Sequence, residues 1–157
     1  MGRVARDGEV PVDLDAYAQA IAKHLTPYDV IAAFEPGDFV MKDAGVLLAE
    51  VVTVEQRGGV TFIGLDAGWN VNCLAFIYDY AQEVVPLVDT MRERTQLVTV
   101  AGHINEAGDV FAEDYPMVDV AEGDGVAILN SGGYAQAMSS THCLRPVGGA
   151  VYLERPA

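Results

Sequence analysis

The pattern of apolar and polar residues changes character once along the chain. Between Asp13 and Leu25 the apolar residues fall at helical spacing, at Leu14, Tyr17, Ala18, Ile21, Ala22 and Leu25. This spacing predicts a helix with one buried face, begun by Asp13 and stopped by Pro27. The run VIAAF, Val30–Phe34, is apolar without alternation, which favours a strand covered on both faces, as in a parallel α/β sheet.

Beyond Asp43 the pattern is that of short strands separated by turn residues. Runs rich in Val and Ile are interrupted by the sequences EQRGG, DAG, AEGDG and NSGG. The pattern predicts strands at 46–55, 60–65, 84–88, 96–101, 125–129 and 150–154. Many short strands at this spacing indicate an antiparallel sandwich or barrel. The sequence therefore predicts a mainly β fold, in which a β-barrel or sandwich domain follows one helix–strand unit.

Composition narrows the classes of function. The chain has 157 residues, of which 51% are hydrophobic, so one domain with a real core is expected rather than disorder. The 23 acidic and 9 basic side chains give a net charge of −14, which disfavours nucleic acids and anionic membrane surfaces as partners.

The cysteines and the N-terminus bear on the cellular compartment. Cys73 and Cys143 lack the spacing of a zinc site or a disulfide framework, so we expect no metal and two buried, inert thiols. The N-terminal segment MGRVARDGEV lacks the apolar core of a signal peptide, and no apolar run is long enough to cross a bilayer. A soluble, cytoplasmic protein is expected.

Four stretches stand out as candidates for chemistry: EPGD (Glu35–Asp38), LDAGWN (Leu65–Asn70), GHINEAGD (Gly102–Asp109) and NSGGY (Asn130–Tyr134). Each alone is typical of a turn. As an ordered set, however, they resemble the C-terminal portion of the pyridoxal-phosphate-dependent ornithine, diaminopimelate and arginine decarboxylases, the fold-type III or alanine racemase-like group. The resemblance extends roughly from Asp13 to Pro156.

The resemblance implies a division of the chain. Those enzymes pair an N-terminal (β/α)8 barrel with a C-terminal β domain, so residues 1–40 would be a remnant of the last α/β unit of a cofactor barrel and residues 41–157 the C-terminal β domain. The family's Schiff-base lysine lies on the first barrel strand, whereas this chain has only Lys23 and Lys42. We therefore expect a need for a lysine-bearing barrel from another chain, and no decarboxylation by this chain alone.

The resemblance also implies a set of residues that bind pyridoxal 5'-phosphate. Glu35 takes the place of the family's glutamate beside the pyridine nitrogen, where a carboxylate keeps that nitrogen protonated and improves the electron sink. Gly37 lets the backbone approach the phosphate. Tyr134 corresponds to a tyrosine that hydrogen-bonds the phosphate, although a packed aromatic after a tight turn is an open alternative. Asp38 stands where the family has a phosphate-clamping arginine, and an anion there repels phosphate.

GHINEAGD resembles the family loop G-P-x-C-[DE]-x-x-D, which reaches across a dimer into the neighbouring active site. On this match Glu106 meets the distal amine of an amino-acid substrate. Asn105 replaces the cysteine that donates a proton after decarboxylation, and an amide cannot supply a proton as a thiol can. His103 occupies the proline position, where it could titrate near neutrality and replace that donor, or simply be solvated.

Two functions therefore follow from the resemblance. The first is the C-terminal part of an amino-acid decarboxylase, acting as a homo-oligomer or with a complementing barrel subunit. The second is a non-catalytic β domain acting in dimerisation or regulation. Asp38, Asn105 and Leu74 favour the second, since each replaces a chemically demanding family residue; Leu74 stands at an arginine that can anchor a substrate carboxylate. The ordered motifs disfavour an unrelated β-barrel binding protein.

Overall fold

The computed structural model describes residues 10–79, 82–88, 93–94 and 96–154. The elements in chain order are helix α1 (Leu14–Leu25), helix α2 (Gly37–Met41), strands β1 (Leu47–Arg57) and β2 (Val60–Leu65), helix α3 (Leu74–Tyr78), and strands β3 (Val84–Pro86), β4 (Gln96–Ala101), β5 (Val110–Met117) and β6 (Gly125–Ile128). Short 3₁₀ turns lie at Lys42–Ala44 and His142–Leu144. The first nine residues, where no signal peptide is expected, lie outside the described residues.

The strands form one sheet in the order β3-β6-β1-β2-β4-β5, in which only β2 and β4 are parallel among the described strands. The two edge strands approach each other. The Gln82 amide donates to the Phe111 carbonyl at 3.1 Å, and the Val84 amide donates to the Tyr115 hydroxyl at 3.1 Å. The sheet is therefore a nearly closed barrel, which confirms the predicted mainly β fold.

The interior of the barrel is filled by alternate residues of every strand. The buried cluster comprises Val51, Ile63, Leu65, Val84, Val98, Val100, Phe111, Ala112, Tyr115, Met117, Val126 and Ile128. Branched residues dominate this set because they pack well on a pleated surface. Within one strand, buried residues such as Ile63 and Leu65, or Val126 and Ile128, lie two positions apart. This is the period of side chains that face one side of a sheet.

Local sequence explains the elements that were predicted. The Asp13 carboxylate caps α1 by accepting from the amides of Asp15 and Ala16, each at 3.0 Å. Gly58 and Gly59 both have positive φ, at 58° and 84°, as the two-residue turn of the β1–β2 hairpin requires. The strand at 60–65 and the strand at 96–101 are confirmed with their predicted bounds.

Two predicted strands are wrong. Val30–Phe34 forms no strand, and Ile31 in it is 99% exposed. Residues 150–154 are likewise outside the sheet and exposed. An apolar run becomes a strand only when a neighbouring strand pairs with it through hydrogen bonds, and neither run pairs with any of the six strands. The predicted buried face of α1 is also wrong, because none of its described residues is buried.

Strand β5 was missed because its alternation is broken. Val98 pairs with Tyr115 and Val100 with Ala112, so the intervening Glu113 and Asp114 face a single residue of β4. Asp114 has a positive φ of 47°. This is a β-bulge, which explains how two adjacent acidic residues fit inside a strand.

Among the described residues, no helix combines the length and the apolarity that crossing a bilayer requires.

Cys73 is buried, and burial raises the pKa of its thiol. Cys143 is exposed, so the expectation of a buried thiol is wrong there. Cys143 lies in the last 3₁₀ turn, outside the six strands, with a positive φ of 53°.

Candidate active site

Two of the four motifs meet at one end of the barrel. Strands β2 and β4 are adjacent and parallel, so their carboxyl ends open at the same rim. LDAGWN leaves β2 there and GHINEAGD leaves β4 there. The His103 amide donates to the Ala67 carbonyl at 3.2 Å, which joins the two loops directly.

Asp109 organises both loops from the inside. Its side chain is buried, and its two carboxylate oxygens accept from the Trp69 amide and the Ile104 amide, each at 2.6 Å. A Cβ at Gly68 would lie 2.6 Å from the Asp109 carboxylate, and a Cβ at Gly102 would lie closer still. Burial raises the pKa of Asp109, although the two amide hydrogen bonds act in the opposite direction. Asp109 is thus a structural carboxylate; its position as the last acidic residue of the loop motif was the available signal.

Glu106 and Asn105 lie on the exposed side of the same loop. The Glu106 carboxylate pairs with His142 Nε2 at 2.7 Å. His142 belongs to the segment AMSSTHCLRP, residues 137–146, which we call the closing segment. It is not predicted as a site residue, because nothing in its local sequence indicates contact with Glu106. Asn105 has no side-chain hydrogen bond to another described residue. The carboxylate that the resemblance assigns to a substrate amine therefore already faces a basic partner.

Aromatic rings pack beside this pair. Trp69 stacks on Phe76 with ring centroids 5.0 Å apart, and it meets the His142 ring at a tilt of 45° with centroids 4.5 Å apart. Gly108 is needed here, since a Cβ would lie 2.5 Å from the Phe76 ring. The Trp69 indole nitrogen is buried without a hydrogen-bond partner among the described residues. The rings hold His142 against Glu106.

The other two motifs meet at a second contact. A Cβ on Gly37 would lie 2.6 Å from the Tyr134 hydroxyl, so the EPGD turn and NSGGY touch only because residue 37 is a glycine. The Ser131 amide donates to the Gly45 carbonyl and the Gly132 amide to the Lys42 carbonyl, each at 2.9 Å. The structure thus brings the predicted phosphate residues Gly37 and Tyr134 together.

Asp38 and Glu35 differ in their surroundings. The Asp38 carboxylate lies 3.4 Å from the Lys42 ammonium, one helical turn away, and Lys42 is buried. Glu35 is exposed, and its carbonyl accepts from the Gly37 amide at 2.9 Å. The Asn72 amide nitrogen donates to the Ser131 hydroxyl at 3.0 Å and links this contact to the barrel-rim loops.

The residues present fit a phosphate group only in part. Gly37 leaves room for close approach of the main chain, and the Tyr134 hydroxyl is a hydrogen-bond donor on a half-exposed side chain. Asp38 adds no positive charge, but its pairing with Lys42 offsets the repulsion expected from an unpaired carboxylate. Among the described residues, no cluster of three or more His, Cys, Asp or Glu is arranged to hold a metal ion.

Comparison with known proteins places this geometry in context. Residues 38–132 match the family described as the pyridoxal-dependent decarboxylase, C-terminal sheet domain. The chain is 32% identical over 145 residues to diaminopimelate decarboxylase of Methanothermobacter thermautotrophicus, covering 88% of this chain and 34% of that protein. It is 34% identical over 120 residues to the Aquifex aeolicus enzyme, covering 76% and 28%. The chain thus spans about a third of the length of these curated relatives.

Solved structures give the same result. The crystal structure of diaminopimelate decarboxylase from Helicobacter pylori complexed with L-lysine matches with a TM-score of 0.75 and 26% identity, over 91% of this chain and 35% of that chain. The lysine/ornithine decarboxylase from Vibrio vulnificus complexed with cadaverine matches with a TM-score of 0.69 at 20% identity, over 88% and 38%. The second match concerns the fold alone.

Proposed function

This chain belongs to the pyridoxal-dependent decarboxylase family through its C-terminal sheet domain, and we propose that it supplies that domain to an amino-acid decarboxylase whose lysine-bearing barrel lies outside residues 1–157. Residues 1–40 form the end of the barrel in this proposal, and residues 41–157 form the sheet domain. The observation that carries the proposal is the pairwise meeting of the four motifs: Gly37 touches Tyr134, and Asp109 binds the main chain of LDAGWN.

Pyridoxal phosphate, when bound, supplies the electron sink for loss of carbon dioxide. In the proposal, Glu35 holds a proton at the pyridine nitrogen, and its exposure in this chain leaves it available to the barrel. The Tyr134 hydroxyl and the Gly37 main chain bind the phosphate. Asp38, paired with Lys42, shapes the turn at that phosphate without clamping it.

The loop Gly102–Asp109 reaches the neighbouring active site of a dimer in this proposal. Glu106 binds the distal amine of the substrate and exchanges its His142 partner for that amine. Asn105 orients the substrate through its amide but transfers no proton. His103 is the ionisable side chain of the loop that exchanges protons with the reacting group.

One observation favours the alternative, a non-catalytic β domain that acts in dimerisation or regulation. Leu74, at the position of the family's arginine, is 1% exposed and belongs to the apolar interior. It therefore offers nothing to a substrate carboxylate. Asp38 and Glu106 are also both paired within the chain.

The experiment is complementation. The chain would be produced with the barrel of the Aquifex aeolicus relative, cut before the last helix–strand unit that residues 1–40 of this chain supply. Carbon dioxide release would be measured from diaminopimelate, lysine, ornithine and arginine. We expect release only when both parts are present, and strong loss of it with Glu35→Gln. Glu113→Gln, an exposed carboxylate outside the motifs, is the matched control. A tight complex without release would support the non-catalytic function, and absence of any complex would contradict both.

The same samples test the lysine assignment. After reduction with borohydride, mass spectrometry should find pyridoxyl-lysine on the barrel and none on Lys23 or Lys42 of this chain. A stoichiometric adduct on either of these lysines would overturn the assignment of the Schiff-base lysine to the barrel.

A further inference from the structure

His103 makes a hydrogen bond whose direction can be read from the surrounding atoms. Its Nε2 lies 3.0 Å from Oδ1 of Asn70. Asn70 is fully buried. Its amide nitrogen lies 3.4 Å from two carbonyl oxygens, those of Ser140 and Pro146. These contacts join the LDAGWN turn, the GHINEAGD loop and the closing segment of the chain.

The two carbonyls fix the orientation of the Asn70 amide. A carbonyl oxygen only accepts, so the side that faces Ser140 and Pro146 must be the donating NH₂ group. The other side is then Oδ1, which only accepts. Because Oδ1 faces His103, the proton of this hydrogen bond must reside on Nε2. The opposite ring nitrogen, Nδ1, has no hydrogen-bond partner in the part of the chain that the structure describes.

The environment favours the neutral ring. Burial lowers the pKa of His103, and the positive charge of Arg145 lowers it further. The carboxylates of Asp109 and Asp66 act in the opposite direction and only partly offset this. A neutral imidazole with its hydrogen on Nε2 carries a lone pair on Nδ1, and a lone pair accepts a proton rather than donating one.

We propose that Asn70 is a positioning residue that holds His103 as the Nε2–H tautomer, so that Nδ1 is the proton acceptor of the Gly102–Asp109 loop. A proton taken up at Nδ1 leaves its electron pair on the group that released it, and the resulting imidazolium keeps its Nε2 hydrogen on Asn70. His103 therefore acts first as a base, not as the acid that would replace the family's thiol. The use of this base in decarboxylation rests on the proposed function, whereas the tautomer does not.

The test is nitrogen NMR on the 157-residue chain labelled with ¹⁵N. Long-range ¹H–¹⁵N correlations distinguish the two ring nitrogens of His103 across a pH titration. We expect Nε2 to stay protonated throughout and Nδ1 to be the nitrogen that titrates, with a pKa below that of the same residue in the urea-unfolded chain. A dominant Nδ1–H form, or titration at Nε2, would overturn the proposal, and this spectrum requires no variant.

A pair of variants separates positioning from general packing. Asn70→Asp puts a carboxylate next to Nε2 and should strengthen proton binding to His103 by about ten- to a thousandfold. Asn72→Asp is the matched control, because Asn72 is also buried but its amide donates to Ser131 instead. Equal shifts of His103 in the two folded variants would contradict a specific role for Asn70. Because no barrel is needed, failure of complementation would leave this result standing.

Discussion

At the scale of single residues, Asp109 shows why a carboxylate can be indispensable without touching a substrate. It is buried, and both of its oxygens accept short hydrogen bonds from main-chain amides. Those two amides belong to loops that leave different strands. A neutral isostere cannot replace it, because the NH₂ group of an asparagine would face one of the two N–H donors.

Asp109→Asn should therefore lower the free energy of unfolding near neutral pH by about 1–3 kcal/mol, the cost of leaving a buried amide unsatisfied. Urea denaturation would measure this change. Glu113→Gln is the control, since Glu113 is exposed on β5 and should change stability little. Equal stability of Asp109→Asn and the wild type would show that the loop does not depend on this carboxylate.

The free energy of unfolding should depend on pH through the titration of Asp109. Its folded pKa is raised above the reference value of 3.8, mainly by burial. The folded state thus binds this proton more tightly than the unfolded chain does. The stability that comes from this difference is fully present below the unfolded pKa and is lost as pH rises through the folded pKa. In that window the unfolding free energy of the wild type should fall with increasing pH more than that of Asp109→Asn. A steeper fall in the variant would contradict this sign.

The sequence named some of these residues and missed others for a physical reason. Gly37, Glu106 and Tyr134 stand inside recognisable motifs, so their places could be predicted. Asn70 and His142 act through partners that lie 33 and 36 positions away in the chain. No local pattern encodes such contacts, because they arise only when segments far apart in the chain meet in the folded barrel.

At the scale of elements, the turn Asn130–Tyr134 is packed against the segment that follows α2. A Cβ on Gly132 would collide with the Met41 carbonyl oxygen and would lie 2.6 Å from the Gly45 nitrogen. Both atoms belong to the main chain and cannot rotate away, so this contact transmits any change in the turn to α2.

Gly132→Ala should therefore destabilise the protein by about 1–3 kcal/mol or more through overpacking. Gly149→Ala is the matched control, because a Cβ there meets nothing within 4 Å. Thermal unfolding of the two variants gives the comparison. A Gly132→Ala protein as stable as Gly149→Ala would mean that the turn and α2 separate easily.

A side chain contributes to barrel closure beside the main-chain hydrogen bond from Gln82 to Phe111. The Tyr115 hydroxyl on β5 accepts from the Val84 amide on β3. Tyr115→Phe leaves that buried amide unsatisfied and should cost about 1–3 kcal/mol, with faster hydrogen exchange at Val84. Tyr152→Phe removes an exposed hydroxyl and serves as the control. Unchanged exchange at Val84 would indicate that another group satisfies the amide.

Element prediction succeeded where the neighbours of a strand were implied by its own pattern. Strand β2 alternates and follows a two-glycine turn, so both its bounds and its partner β1 were predictable. The bulge hides strand β5 from the pattern. The apolar run Val30–Phe34 predicts a strand that has no pairing partner in this sheet. Apolar character alone therefore predicts too many strands, because it does not show whether a run has a strand to pair with.

At the scale of the whole molecule, the chain combines a closed interior with an apolar exterior on its N-terminal side. The side chains of Val30, Ile31 and Phe34 are each at least half exposed, at 59%, 99% and 50%. Helix α1 contacts none of the other described elements. Such surface is typical of a contact with another chain, in agreement with the proposed barrel.

We expect the isolated chain to self-associate through this surface despite its net charge of −14. Ile31→Gln removes apolar area without adding charge and should shift sedimentation towards the monomer. Gln56→Asn, an exposed change on β1, is the control. A monomeric wild type at high protein concentration would contradict self-association but not binding of a separate barrel.

The family could be predicted from the sequence because it depends on ordered motifs, and the match over residues 38–132 confirms it. The mainly β architecture could be predicted as well, since turn residues punctuate the chain at strand spacing. What covers the exposed apolar residues Val30, Ile31 and Phe34 could not be predicted, because a surface carries that information and no sequence motif does.

The parallel pair β2–β4 has a consequence for how the newly made chain reaches its native state. No tight turn can connect parallel neighbours, so the pairing waits until α3 and β3 have been synthesised between them. The last strand, β6, then inserts between β1 and β3. Topologies with such distant pairings fold in about milliseconds to seconds. Until β6 pairs with it, β1 therefore presents an open strand edge, the kind of surface that chaperones bind.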